Sequence, residues 1–98
     1  MTITKNQNGS TLEVALEGRL DTTSAPELES ALGNSLSSIE TLIFDFSKVE
    51  YVSSAGIRTL LVANRSLKMG GSTKIINANE IVKAVFDITG MTSILNVE

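Results

Sequence analysis

Tyr51-Val52-Ser53-Ser54-Ala55-Gly56-Ile57 joins two segments of different periodicity. Upstream, Thr41-Leu42-Ile43-Phe44-Asp45-Phe46 is nearly continuous apolar sequence, as in a central strand covered on at least one side. Downstream, Ala55 to Lys68 places Ile57, Leu60, Leu61, Asn64 and Leu67 on one helical face, with Arg58, Val62 and Arg65 on another. Ser53 and Ser54 therefore stand where a strand gives way to the first turn of a helix. That turn leaves backbone N–H groups unpaired, and its dipole favours negative charge. A neutral hydroxyl placed there can become a phosphate dianion without breaking the fold. The segment reads as a candidate switch rather than an active site.

The flanking sequence fits a small α/β pattern. Met1 to Gln7 is a weakly patterned strand, and Asn8-Gly9 is a hairpin turn signal. Thr11 to Leu16 alternates, with Leu12, Val14 and Leu16 on one face, and Gly18-Arg19-Leu20-Asp21 closes that strand. Ser24, Pro26 and Glu27 mark a helix start, with Ser24 as cap. Leu28, Leu32 and Leu36 continue as an apolar stripe. Gly70-Gly71 stops the second helix, and Lys74 to Asn77 is a short strand. Asn79 caps a third helix, Glu80 to Ile88, in which Ile81, Val82, Val85 and Phe86 are apolar. Ile94 to Val97 is a last short strand or a packed tail. The order predicts a single domain over 1–98, of α/β class bordering on α+β. It has a mixed, mostly parallel sheet of four to five strands and three main helices. Pattern alone leaves open whether the helices cover one sheet face or two.

Composition narrows the function. A hydrophobic fraction of 42% supports a packed core, and with three Phe, one Tyr and no Trp that core is aliphatic. A net charge of −3 without a basic cluster lacks the electrostatic footprint of nucleic-acid binding. Neither Cys nor His occurs, which removes disulfides, the common thiol nucleophile, and the usual general base and metal ligand. No Ser-His or Cys-His site can be assembled, the carboxylates lack metal-ligand spacing, and no phosphate-loop motif occurs. The expectation is a non-enzyme without cofactor or metal. No apolar run suits a membrane helix, and the N-terminus does not read as a signal peptide. A soluble cytoplasmic protein is expected.

Each marked residue also has a plain reading. Either serine at 53–54 is a preferred helix cap, and a capping hydroxyl can still be phosphorylated. Two adjacent serines exceed what one cap needs, and Ala55-Gly56 leaves little to shield Ser54. Gly56 costs about 1 kcal/mol relative to Ala in a helix. Its presence suggests close approach by another protein's backbone. Asp21 reads locally as a turn residue bonding its own backbone. It reads functionally as a strand-end carboxylate facing a partner. Asp45 invites comparison with phosphate-accepting receiver domains, but no acidic pair follows the first strand, and Phe44 and Phe46 flank it.

Four segments in order resemble the STAS domain family, specifically the bacterial single-domain anti-sigma-factor antagonists. They are Gly18-Arg19-Leu20-Asp21, Phe44-Asp45-Phe46-Ser47-Lys48-Val49, Tyr51 through Ile57, and Val85-Phe86-Asp87-Ile88-Thr89-Gly90-Met91. The resemblance spans essentially the whole chain. It implies a protein that, when unphosphorylated, binds an anti-sigma factor that is also a serine kinase, so that the sigma factor is released. Phosphorylation by that kinase ends the interaction, and a serine phosphatase restores it. The phosphoacceptor of the family pattern, the Ser two residues before the Gly of Asp-Ser-Ser/Thr-Gly, falls on Ser54. Ser53 stands where Asp is usual and becomes a second candidate acceptor, while Ala55 replaces the second hydroxyl. The resemblance further implies a contact surface of Asp21, Ser53, Ser54, Gly56 and Arg58, extended by Val62. Two alternatives come with the family: a non-switching scaffold or assembly subunit, and a nucleotide-binding module.

Overall fold

The computed structural model describes residues 1–98. Strand β1 (Thr2–Asn8) and strand β2 (Thr11–Leu20) form an antiparallel hairpin, with Asn8 paired to Thr11. Helix α1 (Ala25–Leu32) and a 3-10 turn (Ser35–Ser38) lead to strand β3 (Thr41–Val52). Helix α2 (Ser54–Arg65), strand β4 (Ser72–Ile76) and helix α3 (Glu80–Ile88) complete the chain. The sheet order is β1-β2-β3-β4, with β3 parallel to both β2 and β4. Val97 adds a single parallel bridge to Ile75, so of the two readings of Ile94 to Val97 the packed tail is the one that forms, with one bridge at its end. Leu95 of that tail is fully buried.

One core holds the fold. Leu12, Val14 and Leu16 of β2 and Leu42, Phe44 and Phe46 of β3 are buried on one sheet face. Leu28 of α1, Leu60 of α2 and Phe86 of α3 join the same cluster. All three helices therefore pack on a single face. On the opposite face Glu13 and Lys74 are exposed, and Ile43 and Asp45 are half-buried. The Phe46 ring lies 6.4 Å from Phe44 and 6.1 Å from Phe86, so the three phenylalanines tie the central strand to α3.

Strand β3 runs six residues beyond Phe46, because it carries two irregularities opposite β2. Ala15 pairs with Asp45 but Glu17 with Lys48, and Gly18 pairs with Val49 but Arg19 with Tyr51. Each shift gives β3 one extra residue, and the buried positions become Phe46, Val49 and Val52 instead of alternating. The Asp45 carboxylate stabilises the first bulge. It accepts from the Ser47 N–H at 3.0 Å and from the Asn77 side-chain amide at 3.1 Å. The Ser47 N–H foremost, then Asn77, hold its carboxyl below the ordinary value of 3.8.

The helix boundaries follow local chemistry. Helix α1 stops at Leu32 because Gly33 adopts a φ of 54°, so Leu36 reaches the core from the 3-10 turn. Lys5, on the hairpin's edge strand, donates to the Ala31 carbonyl at 2.6 Å and places positive charge at the C-terminal end of α1. Asn79 caps α3 by accepting from the Val82 N–H at 2.8 Å. Its amide donates to the Val49 carbonyl at 3.2 Å, which fastens the helix start to the bulged strand. Ile81 of α3 remains exposed.

Candidate functional site

The parallel pairing of Leu20 with Val52 brings the ends of β2 and β3 together, and the turns that follow meet at the start of α2. The Ser53 N–H donates to the Leu20 carbonyl at 2.9 Å, the last tie before the helix begins. Ser53 is the N-cap, with extended backbone, and its hydroxyl accepts from the Gly56 N–H at 3.4 Å. Ser54 is the first helical residue and is exposed. Its hydroxyl makes no hydrogen bond within the chain, and as first-turn groups the N–H groups of Ser54 and Ala55 have no intrahelical partner. The two serines thus differ: one hydroxyl is engaged in the cap and half-buried, the other is free.

Helix α2 spans Ser54–Arg65, shorter at its C-terminal end than the Ala55 to Lys68 expected. Its buried face comprises Gly56, Ile57, Thr59, Leu60 and Ala63, while Leu61, Asn64 and Leu67 are only half-buried. Thr59 was not anticipated there. Its hydroxyl is satisfied by the Ala55 carbonyl one turn back at 3.3 Å, which makes burial inexpensive. Asn64 accepts from the buried Thr73 hydroxyl at 2.7 Å. Arg58 and Val62 are exposed, and with Ser54 they form an outward stripe at four-residue spacing.

Gly56 requires a correction. Expected on the contact surface, it is buried against the chain itself. A Cβ there would lie 2.7 Å from Leu20 Cγ, 2.8 Å from the Leu20 carbonyl oxygen and 3.1 Å from a Val52 methyl. The close approach that excludes a side chain is made by β2, not by a partner.

The neighbouring turn also departs from expectation. Ser24 is the N-cap of α1 by position, but its side chain makes no cap bond to the helix. The Ser24 hydroxyl is buried, donates to the Arg19 carbonyl at 2.5 Å, and accepts from the Asp21 N–H at 2.9 Å. Asp21 Oδ1 accepts from the N–H groups of Thr23 and Ser24 at 3.0 and 3.1 Å. Asp21 is therefore a turn-forming residue, half-exposed beside the start of α2. The Ser24 N–H foremost, with Thr23 and Arg19 assisting, holds its carboxyl below the ordinary 3.8, against a desolvation that acts the other way.

Arg19 lies 4.0 Å from Asp21 Oδ2, and its guanidinium sits over the Tyr51 ring, 5.1 Å from the centroid. This pair was not apparent from the sequence, because it depends on the second bulge of β3, which sets Arg19 opposite Tyr51. The site is thus a polar rim around a helix start: Asp21 and Arg19 on one side, Ser53 and Ser54 at the apex, and Arg58 and Val62 along the outward stripe.

A one-faced mixed sheet whose central strand ends in a serine-capped helix defines a small α/β domain. The STAS domain family model matches residues 2–98, and the chain belongs to that family. The anti-sigma-B factor antagonist of Bacillus subtilis is 30% identical over 92 residues, covering 93% of this chain and 84% of the relative. BtrV of Bordetella bronchiseptica is 30% identical over 99 residues, covering 99% of this chain and 85% of the relative. Among solved structures, the anti-sigma factor antagonist SpoIIAA in its unphosphorylated form superposes with a TM-score of 0.86 at 20% identity, over 99% of this chain and 88% of that one. The phosphorylated form of SpoIIAA, a Bacillus cell fate determinant, gives 0.76 at 19% identity, over 99% and 91%. These two similarities are of fold. No helix of the chain is long and apolar enough to cross a membrane.

Proposed function

We propose that this protein is a phospho-switched anti-sigma-factor antagonist. Unphosphorylated, it binds an anti-sigma factor that is also a serine kinase, through Asp21, Ser53, Ser54, Arg58 and Val62, and so frees the sigma factor. The kinase transfers the γ-phosphoryl group of ATP to Ser54 Oγ. A new P–O bond forms, the bond to the ADP oxygen breaks, and the hydroxyl proton passes to a base on the kinase. A serine phosphatase reverses the modification by hydrolysis.

One observation carries the reading: the Ser54 hydroxyl is exposed and unbonded on the first turn of α2, above two N–H groups with no partner in the helix. Ser53 is the poorer acceptor because its hydroxyl already serves the Gly56 N–H. Phosphorylation adds about −1.5 to −2 charges at a site where the dipole tolerates them. The fold stays, and the effect falls on the interface, where a dianion in a packed contact must shed water and is repelled by any nearby carboxylate. A coupling of about 1.4 kcal/mol changes affinity tenfold. The likeness to the B. subtilis antagonist supports the role, and the two forms of SpoIIAA support a fold that accommodates the modification.

The test is phosphorylation by the cognate kinase with ATP, the site located by mass spectrometry. Phosphate on Ser54, absent in Ser54→Ala and retained in Ser53→Ala, is the expected result. Phosphate elsewhere, or none, overturns the proposal. A Ser54→Asp protein should fold normally and bind the kinase at least tenfold more weakly. Equal binding by the two proteins would refute the charge mechanism.

A further inference from the structure

We propose that Arg58 pairs with the phosphate on Ser54, so that modification also withdraws its guanidinium from the outward stripe of α2. This rests on the reading of Ser54 as the acceptor.

The two residues are one turn apart on α2, and both are exposed. Helical side chains lean toward the N-terminus, so the Arg58 guanidinium reaches back over the first turn toward position 54. An acidic group four residues before a basic one is the favoured order of an i,i+4 pair. Serine supplies no such group until it is phosphorylated. The planar guanidinium fork then matches phosphate oxygens two at a time, which an ammonium does not.

Arg58 is available for this. The ion pairs of the protein join the N-terminus to Glu27, Arg19 to Asp21, Lys68 to Glu40, and Lys74 to Glu98, and none involves Arg58. Helix α2 contains no acidic residue that could compete. The charged groups on packed neighbours are Asp21 and Arg19 at the β2–α1 turn, Glu27 and Glu29 of α1, and Lys48 and Glu50 beyond Phe46 on β3; Glu27 is paired with the N-terminus, and Glu29 lines the groove beside Thr59 and Val62. Arg19 is already held by Tyr51 and Asp21, and Asp21 is held by its own turn. Arg58 is thus the unpaired cation one turn from the modified residue, whereas Arg65, also exposed and unpaired, lies about two turns further along the helix. The outward stripe changes from neutral and cationic to a paired, net-negative surface in one step.

The experiment installs phosphoserine at position 54 during translation of the full chain, so no kinase is needed, and follows the phosphate by ³¹P NMR across its second ionisation. Arg58→Gln should raise that pKa by about 0.3 unit relative to the otherwise unchanged phosphoprotein. Arg58→Lys should recover part of the difference, and Arg19→Gln should leave it in place. Equal titration with and without Arg58, or a larger shift from Arg19→Gln than from Arg58→Gln, overturns the pairing. Because the phosphate is supplied genetically, failure here is distinct from failure of Ser54 as an acceptor, which the kinase assay alone decides.

Discussion

Gly56 lies against Leu20 so tightly that a β carbon at position 56 would stand 2.7 Å from Leu20 Cγ and 2.8 Å from the Leu20 carbonyl oxygen. That carbonyl also accepts the Ser53 N–H, so one residue of β2 positions both the cap and the first turn of α2. The packing places the free Ser54 hydroxyl at the surface by holding the opposite side of the turn inside.

Gly56→Ala tests this. Helix propensity favours Ala by about 1 kcal/mol, but overpacking against a backbone carbonyl costs about 1–3 kcal/mol. The backbone of Leu20 cannot rotate away as a flexible side chain would. The expected outcome is a net loss of stability in urea unfolding, with no change in the slope of the transition. An unchanged or raised midpoint would show that α2 can lift off Leu20 freely.

The adjacent serines should separate cleanly. Ser53→Ala removes the acceptor for the Gly56 N–H, a loss of about 1 kcal/mol for a helix cap. Ser54→Ala removes a hydroxyl that bonds nothing, so stability should stay within about 0.5 kcal/mol. Unfolding midpoints of the two variants measured side by side decide the matter. Larger destabilisation from Ser54→Ala than from Ser53→Ala would reverse the assignment of cap and free hydroxyl.

Acid should weaken the fold through two carboxylates. Asp21 and Asp45 both have carboxyl groups held below the ordinary 3.8 by hydrogen bonds to backbone N–H groups. Between their folded pKa values and 3.8 the unfolded chain binds more protons, so stability rises with pH in that window. Their contribution is complete above 3.8 and is lost as pH falls through the folded values. A double Asp21→Asn, Asp45→Asn protein should therefore show a flatter fall in urea midpoint as pH is taken downward from about 4, near the ordinary carboxylate pKa. Parallel falls in the two proteins would mean that other groups govern acid sensitivity.

Much of the fold is legible in the sequence where one periodicity rules. The alternation of Leu12, Val14 and Leu16 and the stripe of Leu28, Leu32 and Leu36 are read directly, and all six side chains are buried. What is not legible arises from backbone pairing. Val49 and Val52 of β3 continue the buried face only because two extra residues are absorbed against β2, and alternation fails across Ser47 and Lys48. The inward turn of the Ser24 hydroxyl depends on the Arg19 carbonyl, which is placed by the same strand. At the site, a strand-to-helix junction with two serines is visible as composition. The role of Gly56 is not, because its reason lies 36 positions earlier in the chain, at Leu20.

The tail beyond α3 offers a last test, because its sequence admits two readings with different energetics. A short fifth strand would be held by a ladder of backbone bonds, and a packed tail by side-chain burial. Ile75 exchanges bonds with Asn96 and Glu98, at 3.3 and 2.9 Å, and Val97 makes only the single bridge. Leu95 is fully buried in the common core and belongs with the β4 side chain Ile75 in the same cluster. Burial therefore outweighs the ladder: Leu95→Ala should cost about 2–5 kcal/mol. Val97→Ala, at a half-buried position, should cost clearly less in the same unfolding assay. If Val97→Ala proves the more damaging, the ladder and not the core anchors the tail, and its place in the sheet must be counted as a true strand.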